Sequence, residues 1–185
     1  MRPTFRWLED VLTEDECKEI IEKCSSSLST AGYANEDKKW FPSLTRKCEV
    51  SWIAAGHELD PIIWKLIDAF RGISMEFYDI PLGRIEQVQY TDYPLFGHYR
   101  RHSDSGDGDS WTRIMSASIQ LSDPSEYKGG DLKIYFGKKC YKSPKKRGLI
   151  TVFPSIIEHK VTPLYWGRRR SLVMWGHIRG DEDAG

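Results

Sequence analysis

The sequence predicts an α+β fold in which N-terminal helices buttress a double-sheet barrel, or jelly roll. Three observations predict it. Two stretches within the first 77 residues place apolar side chains at helical spacing. From residue 84 onward the apolar pattern changes to period two and stays there. Turn signals then divide that region into short strands: Asp123-Pro124, Gly129-Gly130, Ser143-Pro144 and Gly167. With 185 residues, 39% of them apolar and 12% aromatic, the chain reads as a single domain spanning 1–185. Its helical support covers 13–77 and its jelly-roll core 84–178.

Phe5, Trp7, Leu8, Val11 and Leu12 read as an extended segment pinned to the core. Thr13-Glu14-Asp15-Glu16 has the form of a capping box opening a helix. Cys17, Ile20, Ile21, Cys24 and Leu28 then form one apolar stripe, which makes the two cysteines small core residues. Residues 29–45 are polar and read as a long loop, with Trp40 and Phe41 as a plug for the core or, as the alternative, a lid facing substrate. Residues 46–54 read as a strand with Cys48, Val50 and Trp52 on one face. A second helix starts with Asp60 as N-cap and Pro61 at its first position. Ile63, Leu66, Ile67, Phe70, Ile73 and Phe77 carry it to about residue 77. The strands that follow are expected at 84–91, 97–104, 112–121, 131–136, 148–153, 157–162 and 170–178.

Lysine plus arginine (27) balance aspartate plus glutamate (27), which weighs against a dedicated nucleic-acid binder. The one concentrated basic run, 138–147, reads as a solvated hairpin; the alternative is a docking surface for an acidic partner or a nucleic-acid backbone. The four cysteines lack CxxC spacing, and no leader or apolar run of membrane-spanning length is present. Reduced thiols and a cytoplasmic location are the expectation.

The chemistry concentrates at Gly97-His98-Tyr99-Arg100-Arg101-His102-Ser103-Asp104. On a strand, residues i and i+2 leave the same face, so His102 and Asp104 can hold two adjacent corners of a metal's coordination sphere. His159 is the best candidate for a third. Two His and one carboxylate, with the opposite positions open, form the ligand set of a non-haem Fe(II) oxygenase. Downstream lies His159-Lys160-Val161-Thr162-Pro163-Leu164-Tyr165-Trp166-Gly167-Arg168-Arg169-Arg170-Ser171. A strand, a turn and a return strand would bring Arg169 back beside the metal, and a buried guanidinium suits a carboxylate. Arg168 and Arg170 then alternate outward as solvated cations. His98 shares the strand face and reads as a substrate or outer contact. His57 and His177 read as structural. The Gly-rich loop 105–111, ending in Trp111, either closes over substrate or is a solvated turn. Arg113 either faces the site mouth or is a surface cation.

These residues, in this order, resemble the Fe(II)/2-oxoglutarate-dependent dioxygenases, most closely their prolyl 4-hydroxylase-like branch. The matching positions are Tyr93, Gly97, Tyr99, His102, Asp104, Gly129-Gly130-Asp131, His159, Val161, Pro163, Gly167 and Arg169. The resemblance is strong over 88–175. It implies a double-stranded β-helix core with Fe(II) held by His102, Asp104 and His159. It also implies that Arg169 pairs with the distal carboxylate of 2-oxoglutarate, with Tyr93, Tyr99 and Ser171 lining the same pocket. The implied cosubstrates are 2-oxoglutarate and O2, with ascorbate as reductant, and the products include succinate and CO2.

The leading expectation is hydroxylation of a prolyl residue in a peptide or protein. The alternatives are a hydroxylase of a free amino acid or other small molecule, a nucleic-acid demethylase, and a non-catalytic barrel acting as a binding module. The demethylase lacks support because no Asn-x-Asn-x-Tyr run precedes His102.

Overall fold

The computed structural model describes residues 5–178 except 31, 35–39, 43–44, 107–109 and 111, and the backbone alone of 32–34 and 40–42. Strand β1 (Arg6–Leu8) leads to helix α1 (Glu14–Cys24). Its N-terminus is the expected capping box: Thr13 Oγ1 accepts from Glu16 N, and Glu16 Oε2 accepts from Thr13 N. The helix ends at Cys24 in a short 3₁₀ turn, Ser25–Ser27, so its stripe stops short of Leu28. Cys17, Ile20 and Cys24 are buried.

Residues 29–45 depart from the expected loop. They contain β2 (Ser29–Thr30) and a hairpin of β3 (Gly32–Ala34) and β4 (Trp40–Pro42). The side chains of Trp40 and Phe41, expected to plug the core, lie outside the described residues. Strands β5 (Arg46–Lys47) and β6 (Glu49–Ile53) follow. Cys48 and Val50 are buried, but Trp52, paired opposite Gln89, is 49% exposed.

Helix α2 (Asp60–Tyr78) begins one residue earlier than expected. Leu59 is the N-cap, and Asp60 is already helical; its carboxylate instead accepts from Gly56 N at 2.9 Å. Pro61 keeps its place in the first turn, where no N–H is needed. The buried stripe is Ile62, Ile63, Leu66, Ile67, Phe70, Ile73 and Tyr78, whereas Phe77 points outward. At about 100° per residue, Tyr78 falls about 20° from the buried Ile67 and about 40° from the buried Ser74, and so continues their side of the helix. Its hydroxyl donates to the Val152 carbonyl at 3.1 Å.

The remaining strands are β7 (Leu82–Ile85), β8 (Val88–Tyr93), β9 (His98–His102), β10 (Met115–Gln120), β11 (Tyr127–Gly129), β12 (Leu132–Phe136), β13 (Lys139–Lys142), β14 (Ile150–Pro154), β15 (His159–Val161), β16 (Leu164–Gly167) and β17 (Arg169–Ile178). The larger, eight-stranded sheet runs β1-β14-β10-β17-β8-β6-β2, with β7 also on β17. The five-stranded sheet runs β13-β12-β15-β9-β5, and every pairing is antiparallel. Strands β11 and β16, which pair as a two-stranded sheet, and β13, within the run expected as a hairpin, were not anticipated as strands. Gly and Lys dilute the period-two signal in them.

Two apolar layers result. On one face of the larger sheet, Ala117, Ile119, Val152, Leu172 and Met174 pack against Leu66, Phe70 and Ile73 of α2 and Ile20 of α1. On the other face, strand alternation turns Arg169, Ser171 and Trp175 toward the five-stranded sheet. β17 is therefore buried on both sides, and the site lies between the two sheets. This is the α+β jelly roll with helical buttress that the sequence predicts. None of the described helices is long and apolar enough to cross a membrane.

Candidate active site

Cross-strand register brings the metal-type residues together. His159 on β15 stands directly opposite His102 on β9, and Asp104 follows two residues later as the chain leaves the sheet. Asp104 N and Ser105 N both donate to the Ser155 carbonyl, at 2.9 and 3.2 Å, which anchors that exit. The donor atoms of His102, Asp104 and His159 all lie within 4.8 Å of one another, and no other such group occurs among the described residues.

Hydrogen bonds determine which nitrogen faces inward. His102 Nδ1 lies 2.7 Å from the Arg100 carbonyl, and His159 Nδ1 lies 3.0 Å from the Ile157 carbonyl. A carbonyl only accepts, so each Nδ1 carries the proton and each Nε2 presents a lone pair. Those lone pairs approach Asp104 Oδ1 and Oδ2 at 3.4 and 3.5 Å. Three acceptors converge with no proton between them, an arrangement that a divalent cation satisfies. Burial pushes the Asp104 carboxyl up, but the facing His159 and His102 and a hydrogen bond from Ser116 outweigh it and hold the group well below the usual carboxylate range. Burial likewise lowers His159, against the pull of Asp104, and keeps its imidazole neutral as a metal ligand must be. The donor set fits Fe(II).

The rings are packed as well as bonded. Tyr99 lies on His102 with centroids 3.6 Å apart, and Phe153 tilts against His159 at 4.7 Å. Deeper in the same open cavity of about 470 Å³ lies Arg169, 3% exposed. Its Nη1 donates to Ser171 Oγ at 3.3 Å, and its guanidinium stands 5.3 Å over the Tyr93 ring. Among the described residues no carboxylate lies in ion-pair range of Arg169. A buried guanidinium so placed demands an anion from outside the chain. The backbone behind it is tight: Gly130 adopts φ +61°, and a Cβ there would come within 3.0 Å of Arg169 Cδ.

Tyr93, Tyr99 and Ser171 all line this cavity, as do His102, Asp104, His159 and Arg169. Burial raises both tyrosine hydroxyls, which remain protonated donors. His98 does not join the cluster; its Nδ1 is bonded to the Phe96 carbonyl at 3.0 Å, and a shift in register between β15 and β9 turns it aside. Arg113 is held outside the cavity, bidentate to Glu86 at 2.7 Å on both oxygens and 4.1 Å over the Trp175 ring. Trp111 lies outside the described residues. Arg168 and Arg170 are more than solvated cations: Arg168 Nε pairs with the buried Asp92 at 2.7 Å, and Arg170 Nε approaches it at 3.4 Å. His177, 2% exposed, bonds Glu86 at 3.0 Å and stays structural.

Several lining residues carry no sequence signal of their own. Gln89 and Thr91 could have been found by alternation back from Tyr93 along β8. Arg46, Ser118 and Trp175 emerge only when the sheets face each other. Arg46 Nη1 reaches Gln89 Oε1 at 3.4 Å, and Trp52 leans on Trp175 at the cavity's lip, 6.2 Å between centroids.

The 2OG-Fe(II) oxygenase superfamily model matches residues 88–177. The PKHD-type hydroxylase YbiX of Shigella boydii is 39% identical over 104 residues, covering 54% of this chain and 44% of that protein. Its Escherichia coli namesake is 36% identical over 104 residues, covering 48% and 45%. The chain thus spans less than half the length of these curated relatives. A Pseudomonas putida prolyl-4-hydroxylase has a similar fold, with TM-score 0.76, 21% identity and coverage of 96% of this chain and 94% of that one. So does a Trichoplax adhaerens prolyl hydroxylase solved with a hypoxia inducible factor peptide fragment, with TM-score 0.74, 18% identity and coverage of 95% and 84%. The segment that carries His102, Asp104, His159 and Arg169 is thus the one that matches the 2OG-Fe(II) oxygenase superfamily.

Proposed function

We propose that the protein is an Fe(II)- and 2-oxoglutarate-dependent dioxygenase that hydroxylates a prolyl residue of a peptide or protein. One observation carries the reading. A single cavity joins three lone-pair donors that need a cation to a buried guanidinium that needs an anion. A dicarboxylate that chelates the metal at one end and reaches Arg169 at the other satisfies both. The prolyl substrate draws support from the prolyl hydroxylases among the structural neighbours, one of them bound to a peptide.

In this reading His102 Nε2, Asp104 and His159 Nε2 hold Fe(II) on one side and leave the side toward the cavity open. Arg169, steadied by Ser171, binds the distal carboxylate of 2-oxoglutarate. Tyr93 covers the guanidinium, and Tyr99 restrains the His102 ring. Phe153, Val161, Leu132 and Trp175 give the cavity apolar walls that exclude water. When bound, the iron supplies the oxidising chemistry that couples 2-oxoglutarate decarboxylation to hydroxylation of a C–H bond. The whole of 1–185 acts as one catalytic domain.

The test is succinate formation with Fe(II), ascorbate and 2-oxoglutarate, in wild type, His102→Ala and Arg169→Ala. Proline-rich peptides and free L-proline are supplied in parallel. Succinate that depends on both residues and rises with a peptide supports the proposal. A rise with free proline alone moves the substrate to small molecules. No succinate and no metal binding under any condition reduces the chain to a binding module.

A further inference from the structure

The basic run that stands out in the sequence is largely neutralised in the fold. Lys145 pairs with Asp131 at 2.7 Å, Lys146 with Glu9 and Asp10 at 2.8 Å, and Arg147 with Glu14 at 2.8 Å. The fold sets Lys142 of that run, which shares Asp131 with Lys145, in a row with cations far from it in sequence. On the outer face of the five-stranded sheet, Lys133 of β12 stands directly opposite Lys142 of β13 on one side and Lys160 of β15 on the other. Arg101 of β9 continues the row, since Arg101 and Lys160 both lie over the Tyr135 ring, at 4.1 and 5.7 Å. Adjacent strands are about 4.8 Å apart, so four cations line up over roughly 14 Å.

Like charges directly opposite one another on a sheet are destabilising. Two carboxylates offset the row, and both are shared or peripheral. Asp131 serves Lys142 and Lys145 together, and Glu158 pairs with Arg101. Among the described residues no carboxylate lies in ion-pair range of Lys133 or Lys160. Helix α2 packs on β7 and β14 of the other sheet. A chain of zero net charge has thus gathered an unbalanced cationic row on one exposed sheet face.

We propose that this face docks an acid-rich segment of a partner protein. An extended peptide presents same-side carboxylates every ~6.7 Å, so two or three of them span the row. A single-stranded nucleic acid binds through aromatic platforms as well as charge. The one aromatic ring within the row, Tyr135, is already covered by Arg101 and Lys160. The docking is independent of the reaction: the row lies on the opposite side of the sheet from the metal-type cluster.

The test uses the full chain and three fluorescent probes: a ten-residue peptide alternating Glu and Thr, its Lys-for-Glu counterpart, and a ten-nucleotide oligouridylate. Binding is followed by anisotropy from 50 to 300 mM salt. The proposal expects saturable, salt-sensitive binding of the acidic peptide alone. Lys133→Glu/Lys160→Glu should weaken it roughly tenfold or more, because two attractive contacts become repulsive. The uncharged pair Lys133→Gln/Lys160→Gln should weaken it less, which keeps the test valid if the reversed pair folds poorly. Lys18→Glu on α1 should leave it unchanged. No saturable binding of the acidic peptide, equal loss with Lys18→Glu, or tighter binding of the oligouridylate would each overturn the proposal, the last in favour of a nucleic acid.

Discussion

Ser116 donates its hydroxyl to Asp104 Oδ2 at 2.7 Å, from the opposite sheet. The same hydroxyl lies 2.8 Å from Ser155 Oγ, and the Ser155 carbonyl accepts from Asp104 N. Ser116 is fully buried on β10, so the bond is made away from water. A carboxylate held at its outer oxygen and at its own backbone has its inner oxygen aimed. Ser116→Ala is expected to weaken Co(II) or Mn(II) binding by about 10- to 100-fold, the usual cost of losing a partner that orients a ligand. Titration of Co(II) absorption checks it, and Ser116→Thr should restore most of the loss. An unchanged affinity in Ser116→Ala would remove the serine from the site.

Arg169 separates binding from folding. Replacing it with Met removes a buried charge that has no carboxylate partner within the chain, at a site of similar volume. Thermal unfolding of the ligand-free variant is expected at or above the wild-type temperature. Its 2-oxoglutarate affinity should fall by at least about 30-fold, since a buried charge pair is worth 2 kcal/mol or more to the ligand. Calorimetric titration gives the second number. A variant that loses stability and keeps its affinity would contradict the assignment.

Glu86 links Arg113 and His177 beneath Trp175. Burial raises its carboxyl, but the bidentate Arg113 and then His177 outweigh that and hold it below the ordinary glutamate value of 4.5. A lowered folded value means stability that is present above about pH 4.5 and lost as pH falls through the folded value. Glu86→Gln is therefore expected to cost about 2 kcal/mol at pH 7. The gap to wild type should shrink as the pH drops below 4.5. Urea unfolding at pH 7, 5 and 3.5 measures it, and a gap independent of pH would refute the ion-pair account.

Gly129 has a backbone reason to be glycine. It adopts φ +79°, and a Cβ there would meet the Pro163 carbonyl oxygen at 2.1 Å. That contact is where the paired strands β11 and β16 support the turn behind Arg169. Gly129→Ala should cost at least about 2 kcal/mol, combining left-handed strain with the clash. Denaturant midpoints check it, and a neutral substitution would show that the turn yields.

The sequence alone carries the helices, the period-two barrel and the ordered string of His102, Asp104, His159 and Arg169. Those features were legible because few residue types perform their tasks. Apolar spacing reports which face a helix buries, and imidazole and carboxylate at alternate strand positions report a ligand pair whatever surrounds them. The tertiary structure decided the rest. Ser116, Gln89 and Thr91 are ordinary polar residues whose meaning comes only from distances across two facing sheets. Arg113 is withdrawn from the cavity by Glu86, 27 residues away in sequence. Lys145, Lys146 and Arg147 of the 138–147 run are neutralised by acids as distant as Glu9, while Lys142 becomes a neighbour of Lys133, and Lys133 of Lys160, through strand register. Hydrogen bonds and ion pairs fall off within a few ångströms. Which groups come that close is therefore decided by register and sheet closure, properties of the whole chain and not of any local stretch.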